Sequence, residues 1–236
     1  MREYFLRRRR SQHFFVSFAK SCKPPPRKFR KLKVSPIKRA LLAGRTSRFE
    51  TLKRKEQNTM STWNIDPAHS VAEFKVKHMM ISNVKGRFTA VKGSLHLDDT
   101  DIAKSSLEAA IAIDSLTTGE PQRDAHLKSP DFLDADKYPT MTFHSTEVAT
   151  RGDGELSVAG DLTIHGVTLP VVFAVEGPTA PGKDPWGNTR IGISAATKIS
   201  RKDFGLTWNA ALETGGILVG EDVHISLEVE FIQAQE

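Results

Sequence analysis

The feature that most limits what this chain can fold into is a strict alternation of apolar and polar residues. Val223, Ile225, Leu227, Val229 and Phe231 are interleaved with His224, Ser226, Glu228 and Glu230. A period of two sends the first set to one face of an extended strand and the second set to the other. The same pattern recurs at residues 72–78, 85–97, 107–113, 156–164, 169–175 and 191–199, with shorter runs at 63–65 and 141–143. About eight closely spaced strands with little helix predict an all-β domain, either a sandwich or an antiparallel barrel. Alternation sustained through successive hairpins favours the closed eight-stranded, up-and-down barrel with an apolar lumen. Gly86 and Gly93 fall inside the longest run, where a barrel strand needs to bend. Such a barrel either fills with side chains or holds one small ligand. Small residues on the inward faces, Ala72, Ala90, Ala109, Gly160 and Ala195, leave volume that favours a cavity, although tapered packing uses the same residue types.

One stretch breaks the pattern. Residues 123–139 are polar and punctuated by proline before alternation resumes at Thr140-Met-Thr-Phe-His-Ser. Pro121 and Pro130 suit the first residue of a helix, and Ser129 suits the N-cap of the second, so two short helical turns are expected. Arg123, Asp124 and His126 then share one turn.

Charge divides the chain at Met60. Residues 1–59 hold 19 of the 34 Lys/Arg and 3 of the 28 Asp/Glu, a net of +16, whereas residues 60–236 carry a net of −10. An acidic domain over 60–236 has no general electrostatic reason to bind nucleic acid. The basic extension over 1–59 is expected to be disordered. Its partner is open: it has the composition to bind nucleic acid or anionic lipid, or to act as an organelle-targeting segment. Its apolar patch, residues 13–19, is short and interrupted by Ser17, which makes a poor signal peptide and points to the cytoplasm rather than the periplasm. A start assigned too early, ahead of Met60, would also produce the abrupt change in charge and periodicity. The single cysteine, Cys22, lies in the extension, so no disulfide forms within 60–236. No apolar run reaches the ~20 residues of a membrane-spanning helix.

Eight short motifs occur in order: Trp63-Asn-Ile-Asp-Pro-Ala-His-Ser70, Phe74-Lys-Val-Lys-His-Met79, Val84-Lys-Gly-Arg-Phe88, Arg123-Asp-Ala-His-Leu127, Asp131-Phe132, Tyr138-Pro-Thr-Met-Thr-Phe143, Gly160-Asp-Leu-Thr-Ile-His-Gly-Val167 and Arg201-Lys-Asp-Phe-Gly205. Together they resemble the YceI-like family, from about Trp63 to Phe231. The resemblance implies a lipocalin-like barrel with a short helical lid, binding a long apolar chain such as a polyisoprenoid or fatty-acyl derivative. It also implies binding or transport rather than catalysis, without a cofactor. Many relatives are exported to the periplasm, which keeps that compartment as the alternative.

Candidate residues follow from the strand faces. Phe74, Val76, His78, Phe88, Ile111, Met141 and Phe143 are expected to line the cavity, against the plainer reading of ordinary core packing. A polar ligand head needs partners at the barrel mouth. Arg123, Asp124, His126, Leu127 and Phe132 are the candidates for that head group or for the lid. Arg123 suits a bidentate clamp on phosphate or carboxylate, with His126 as a further donor. The competing expectation is that Arg123 and Asp124 brace the helical turn while Leu127 and Phe132 plug the end of the core. A metal- or haem-dependent enzyme using the seven histidines of 60–236 is the alternative class, but their spacing offers no His-x-x-x-His. A serine hydrolase is disfavoured, since His69 and Ser70 are adjacent and no Gly-x-Ser-x-Gly elbow is present. Sequence leaves oligomeric state open, and an activity routed through the basic extension is a third alternative.

Overall fold

The computed structural model describes residues 60–236 apart from Asp153, Thr214 and Glu236. The basic extension, with its expected disorder, lies outside the described residues. The strands are β1 (Met60–Ile65), β2 (Val71–His78), β3 (Ser82–Phe88), β4 (Val91–Asp98), β5 (Ser106–Ala112), β6 (Leu116–Thr117), β7 (Thr140–Gly152), β8 (Glu155–Ile164), β9 (Val167–Glu176), β10 (Gly182–Lys183), β11 (Thr189–Ser200) and β12 (Val219–Gln233). One α-helix, α1 (Pro121–Lys128), sits between β6 and β7.

Twelve segments make eight staves. β1 and β2 pair in turn with the same edge of β12, β4 and β3 pair with β1 and β2, and β5 and β6 pair with β4 and β3. Each of these three pairs is one long strand broken near its middle. β7, β8, β9, β11 and β12 complete an antiparallel meander, and the register Arg190↔Ile232 to Ser200↔Asp222 joins the last two. The ring is therefore a closed, eight-stranded, up-and-down barrel. Closure leaves no long unpaired edge, and no strand from outside 60–236 is needed to complete it.

The breaks have local causes. Between β1 and β2, the turn at Asp66–Ser70 is pinned to β12: Ser70 Oγ accepts from the Glu230 backbone N–H at 3.1 Å and lies 3.3 Å from its carbonyl oxygen. The long strand expected over 85–97 is interrupted at Thr89-Ala90, where β3 gives way to β4. A Cβ on Gly93 would meet the Glu108 carbonyl oxygen at 2.1 Å, and one on Gly86 would meet the Phe74 ring at 2.3 Å. Both glycines are thus demanded by close approach. The strand expected at 141–143 is much longer, running thirteen residues to Gly152. Its register slips between Ser145 and Glu147, so the inward set passes from Met141 and Phe143 to Val148. One extra residue reverses the parity, which hides the strand from a period-two reading.

Between β6 and β7 the structure differs from the expected pair of helical turns. α1 is a single helix with Pro121 at its start, and Glu120 caps it by accepting from the backbone N–H groups of Gln122 and Arg123. Ser129 is the C-cap rather than an N-cap. Pro130 onward forms tight turns held by the Leu133 N–H to the Leu127 carbonyl and the Ala135 N–H to the Lys128 carbonyl. Asp134 takes the left-handed conformation, at φ 47°, which a right-handed helix does not continue through, so these turns close back onto α1 instead.

Candidate functional site

All eight staves contribute apolar side chains to one internal cavity of about 260 Å3. Of the residues expected to line it, Phe74, Val76, Phe88, Ile111, Met141 and Phe143 do so. His78 does not. It sits at the last pair of β2, beyond an irregularity in β12, and only its partner there, Val219, borders the cavity. Among the small residues, Ala72, Ala109 and Ala195 border the cavity, whereas Ala90 and Gly160 do not. The Phe143 ring lies where a Gly160 side chain would stand.

The lining is almost entirely apolar, and its few polar members, Glu73, Ser105, Ser106, Thr142 and Arg201, present next to no polar surface to the space. Among the described residues, no buried side-chain nitrogen or oxygen lacks a hydrogen-bond partner. The cavity wall therefore has no polar group waiting for one, and its affinity is for hydrocarbon.

The lid end is built from α1, the turns after it, and residues 201–218. Leu127, Phe132 and Leu133 border the cavity there. Outside them, the His126 ring meets Phe132 and Trp208 edge-on, at 5.1 and 4.8 Å between centroids, and Phe132 lies 5.1 Å from Trp208. His126 Nε2 pairs with Asp131 Oδ2 at 3.0 Å. Trp208 was invisible to sequence reasoning because it lies in no periodic run and meets α1 from more than eighty positions away.

Arg123 and Asp124 stand outside the cavity lining. Arg123 donates from Nε to Thr118 Oγ1 at 2.8 Å and from Nη2 to the Thr118 carbonyl at 3.1 Å. Asp124 Oδ1 accepts from the Thr118 backbone N–H at 2.8 Å and from the Thr118 hydroxyl. Desolvation pushes the Asp124 carboxyl up, but the Thr118 and Thr117 hydrogen bonds outweigh it and hold the group below its ordinary value. Both residues tie α1 to the end of β6. Arg123→Ala is expected to lower stability by about 1 kcal/mol, roughly 2–4 °C in melting temperature, with uptake of an apolar ligand unchanged. Loss of ligand from a protein with an unchanged melting curve would assign Arg123 to the head group instead.

A second arginine explains the Arg201-Lys-Asp-Phe-Gly205 motif. The 3-10 turn Arg201–Phe204 ends on Gly205 in the left-handed region, at φ 78°. Arg201 is 3% exposed and donates from Nε to the Gly220 carbonyl at 2.8 Å, from Nη2 to the Val219 carbonyl at 3.3 Å, and from Nη1 to the Leu206 carbonyl. Burial lowers its pKa, opposed by the charge of Glu221. One guanidinium thus anchors the 201–218 segment to the start of β12.

The opposite end carries an ion network. Arg190 donates from Nη1 to Asp66 Oδ2 and Glu230 Oε1, both at 2.6 Å, and from Nε to Asp184 Oδ2 at 2.7 Å. The seven described histidines do not converge for metal chemistry: none of them borders the cavity, and His69, His96, His144 and His224 are exposed. Asp66, His69 and Glu230 do bring ligand atoms within 4.8 Å of one another, but the Arg190 guanidinium already bonds both carboxylates. His165 occupies the β8–β9 turn and packs against Tyr138, 4.7 Å between centroids.

The network makes stability depend on acid. Hydrogen bonds from His69 and then Arg190 lower Asp66 from 3.8 to about 2. Asp184 is raised by desolvation but lowered further by Asn188 and Arg190, so it also ends well below its ordinary value. Carboxyls with depressed folded pKa values stabilise the fold above the unfolded value, and that contribution is lost as pH falls through the folded one. Melting temperature is expected to decline between about pH 4 and pH 2, and Arg190→Gln should flatten that decline by removing the shared cation. An unchanged slope in the variant would remove the network as its cause.

Comparison with known proteins matches this architecture. A family model described as the YceI-like domain covers residues 63–231. A UPF0312 protein of Vibrio cholerae is 45% identical over 139 residues, which span 59% of this chain and 73% of that protein. The crystal structure of the Campylobacter jejuni YceI protein is 33% identical, with a TM-score of 0.56 over 69% of this chain and 91% of that one. A polyisoprenoid binding domain from Saccharophagus degradans, implicated in plant cell wall breakdown, shares the fold at 15% identity, with a TM-score of 0.54 over 74% and 99% of the two chains. The barrel thus has a fold that these bacterial proteins share, and this chain belongs to the YceI-like family.

Proposed function

We infer that the barrel sequesters or carries one long apolar chain, a polyisoprenoid or fatty-acyl derivative, without chemical change to it. The observation that carries this reading is the cavity itself: about 260 Å3 of space, bordered by all eight staves and nearly free of polar surface. Burying hydrocarbon there contributes about 0.8 kcal/mol per methylene, so a chain needs no polar anchor to bind. The polyisoprenoid-binding relative supports the ligand class by shared fold. Catalysis would need a reactive group at the cavity wall. Ser70 is instead bonded to the Glu230 backbone, and His69 to Asp66 at 2.8 Å.

Native mass spectrometry of the full-length recombinant protein, followed by solvent extraction, tests the reading. A stoichiometric mass increment that extracts into organic solvent and is identified as a chain lipid is expected. A lipid-free protein that also takes up neither added polyprenol nor added palmitate would overturn it.

A further inference from the structure

The tip of the β2–β3 hairpin defies its own turn chemistry. Met79 and Met80 occupy the left-handed region, at φ 51° and 62°. Tight hairpins normally place Gly or Asn there, because other side chains strain the backbone. Burial does not explain the choice either, since Met79, Met80 and Ile81 are 39%, 59% and 78% exposed. The backbone is held all the same: the Met79 N–H donates to the Leu218 carbonyl at 2.7 Å, and the Ile81 N–H to the His78 carbonyl at 3.1 Å. Three consecutive large apolar side chains are presented to solvent on a pinned loop.

Behind the tip, the outward face of the hairpin is basic. Lys75 lies opposite Lys85, Lys77 opposite Asn83, and Arg87 opposite Glu73. Like charges directly opposite one another disfavour the pairing. Among the described residues, none of Lys75, Lys77, Lys85 and Arg87 belongs to an ion pair. The acids at the adjoining start of β12 are engaged elsewhere, Asp222 with Lys198 at 3.0 Å and Glu221 with Lys202. Opposite Lys75 and Glu73 on β12 stand His224 and Ser226, so Glu73 is the one acid directly on this strip. Four free cations therefore adjoin an exposed apolar tip on a domain whose net charge is −10.

We propose that this hairpin docks the barrel on an anionic lipid surface, with Met80 and Ile81 entering the interfacial layer and Lys75, Lys77, Lys85 and Arg87 facing the lipid phosphates. An apolar tip flanked by cations is the composition that binds such a surface, each part reinforcing the other. A nucleic acid would use the cations only and would leave the tip in water, facing an otherwise acidic domain. β2 runs toward the end that carries α1 and residues 201–218, so docking brings the lid end of the cavity to the bilayer. The purpose of docking rests on the lipid-carrier reading, but the docking does not require an occupied cavity.

The test places an environment-sensitive NBD fluorophore at Ile81→Cys in full-length Cys22→Ser protein. The control carries it at Trp186→Cys, in the loop between β10 and β11 at the other end of the barrel. Vesicles of phosphatidylglycerol and phosphatidylcholine are expected to shift the Ile81 label to the blue and leave the Trp186 label unchanged. Vesicles of phosphatidylcholine alone should do neither. Adding Lys75→Gln and Lys85→Gln should raise the half-saturating lipid concentration about fivefold for each charge removed. Because the reporter is on the hairpin, binding through the basic extension cannot imitate the result. An unshifted Ile81 label, equal shifts at both positions, or a shift produced by an oligonucleotide and not by vesicles would each overturn the proposal. Lipid extraction remains a separate readout, so failure here leaves the carrier reading standing.

Discussion

Filling the cavity from two sides, with Ala109→Phe and Ala195→Phe, is expected to abolish ligand uptake while leaving a folded barrel. The two alanines border the cavity from β5 and β11, which stand four staves apart in the ring of eight and so face each other across it. In a packed core such enlargements cost about 1–3 kcal/mol through overpacking. Here the new rings enter existing space, so the melting temperature should hold or rise. Denying burial to about four methylenes of the ligand removes roughly 3 kcal/mol, a hundredfold or more in affinity. Measuring extractable lipid and uptake of a fluorescent fatty acid alongside thermal melting separates the two effects. Undiminished uptake by the double variant would place the ligand outside the barrel.

Arg201→Met should have the opposite profile, a large loss of stability with the apolar lining intact. The substitution keeps much of the side-chain volume but removes the donors to the Gly220, Val219 and Leu206 carbonyls. Unsatisfied buried carbonyls cost about 1–3 kcal/mol each; the Val219 carbonyl keeps its bond from Asn209 Nδ2 at 2.7 Å, so the Gly220 and Leu206 carbonyls set an expected loss of at least ~2 kcal/mol, a fall of roughly 4–8 °C in melting temperature. Hydrogen exchange should quicken first in residues 201–219, because the guanidinium ties that segment to β12. Arg201→Lys is expected to recover only part of the loss, since a single ammonium cannot reach three carbonyls in the geometry of a planar fork. Wild-type stability in Arg201→Met would show that the segment is held by packing alone.

Much of the barrel was legible from alternation, for a definite reason. Residues such as Val223 to Phe231 on β12 and Leu156 to Ile164 on β8 run straight, so a period of two maps directly onto inside and outside. The reading failed where the backbone departed from that period. The slip after Ser145 hid two thirds of β7, and the breaks at Asp66–Ser70 and Thr89-Ala90 split staves that looked continuous or unrelated. Parity alone places His78 inward, yet beyond the irregularity in β12 it does not border the cavity, although Val219 opposite it does. At the lid, Leu127 and Phe132 border the cavity, while Arg123 and Asp124 turn to Thr118. Their short range of five or six residues left no mark that a sequence pattern distinguishes from a ligand clamp.

What the sequence determined by itself was the all-β class, the closed barrel, the apolar inward set and the family, because each of these follows from local periodicity or from motifs in order. Tertiary structure alone decided which side chains leave space rather than fill it, and which cations find carboxylates. Arg190 joins Asp66 and Glu230 across 124 and 40 positions, and Arg201 reaches carbonyls 18 and 19 positions away. Lys75, Lys77, Lys85 and Arg87 remain free on the outer face of one hairpin, a fact that the net charge of the domain conceals. Contacts of that range depend on how a closed ring of strands brings distant residues together, and no local pattern encodes them.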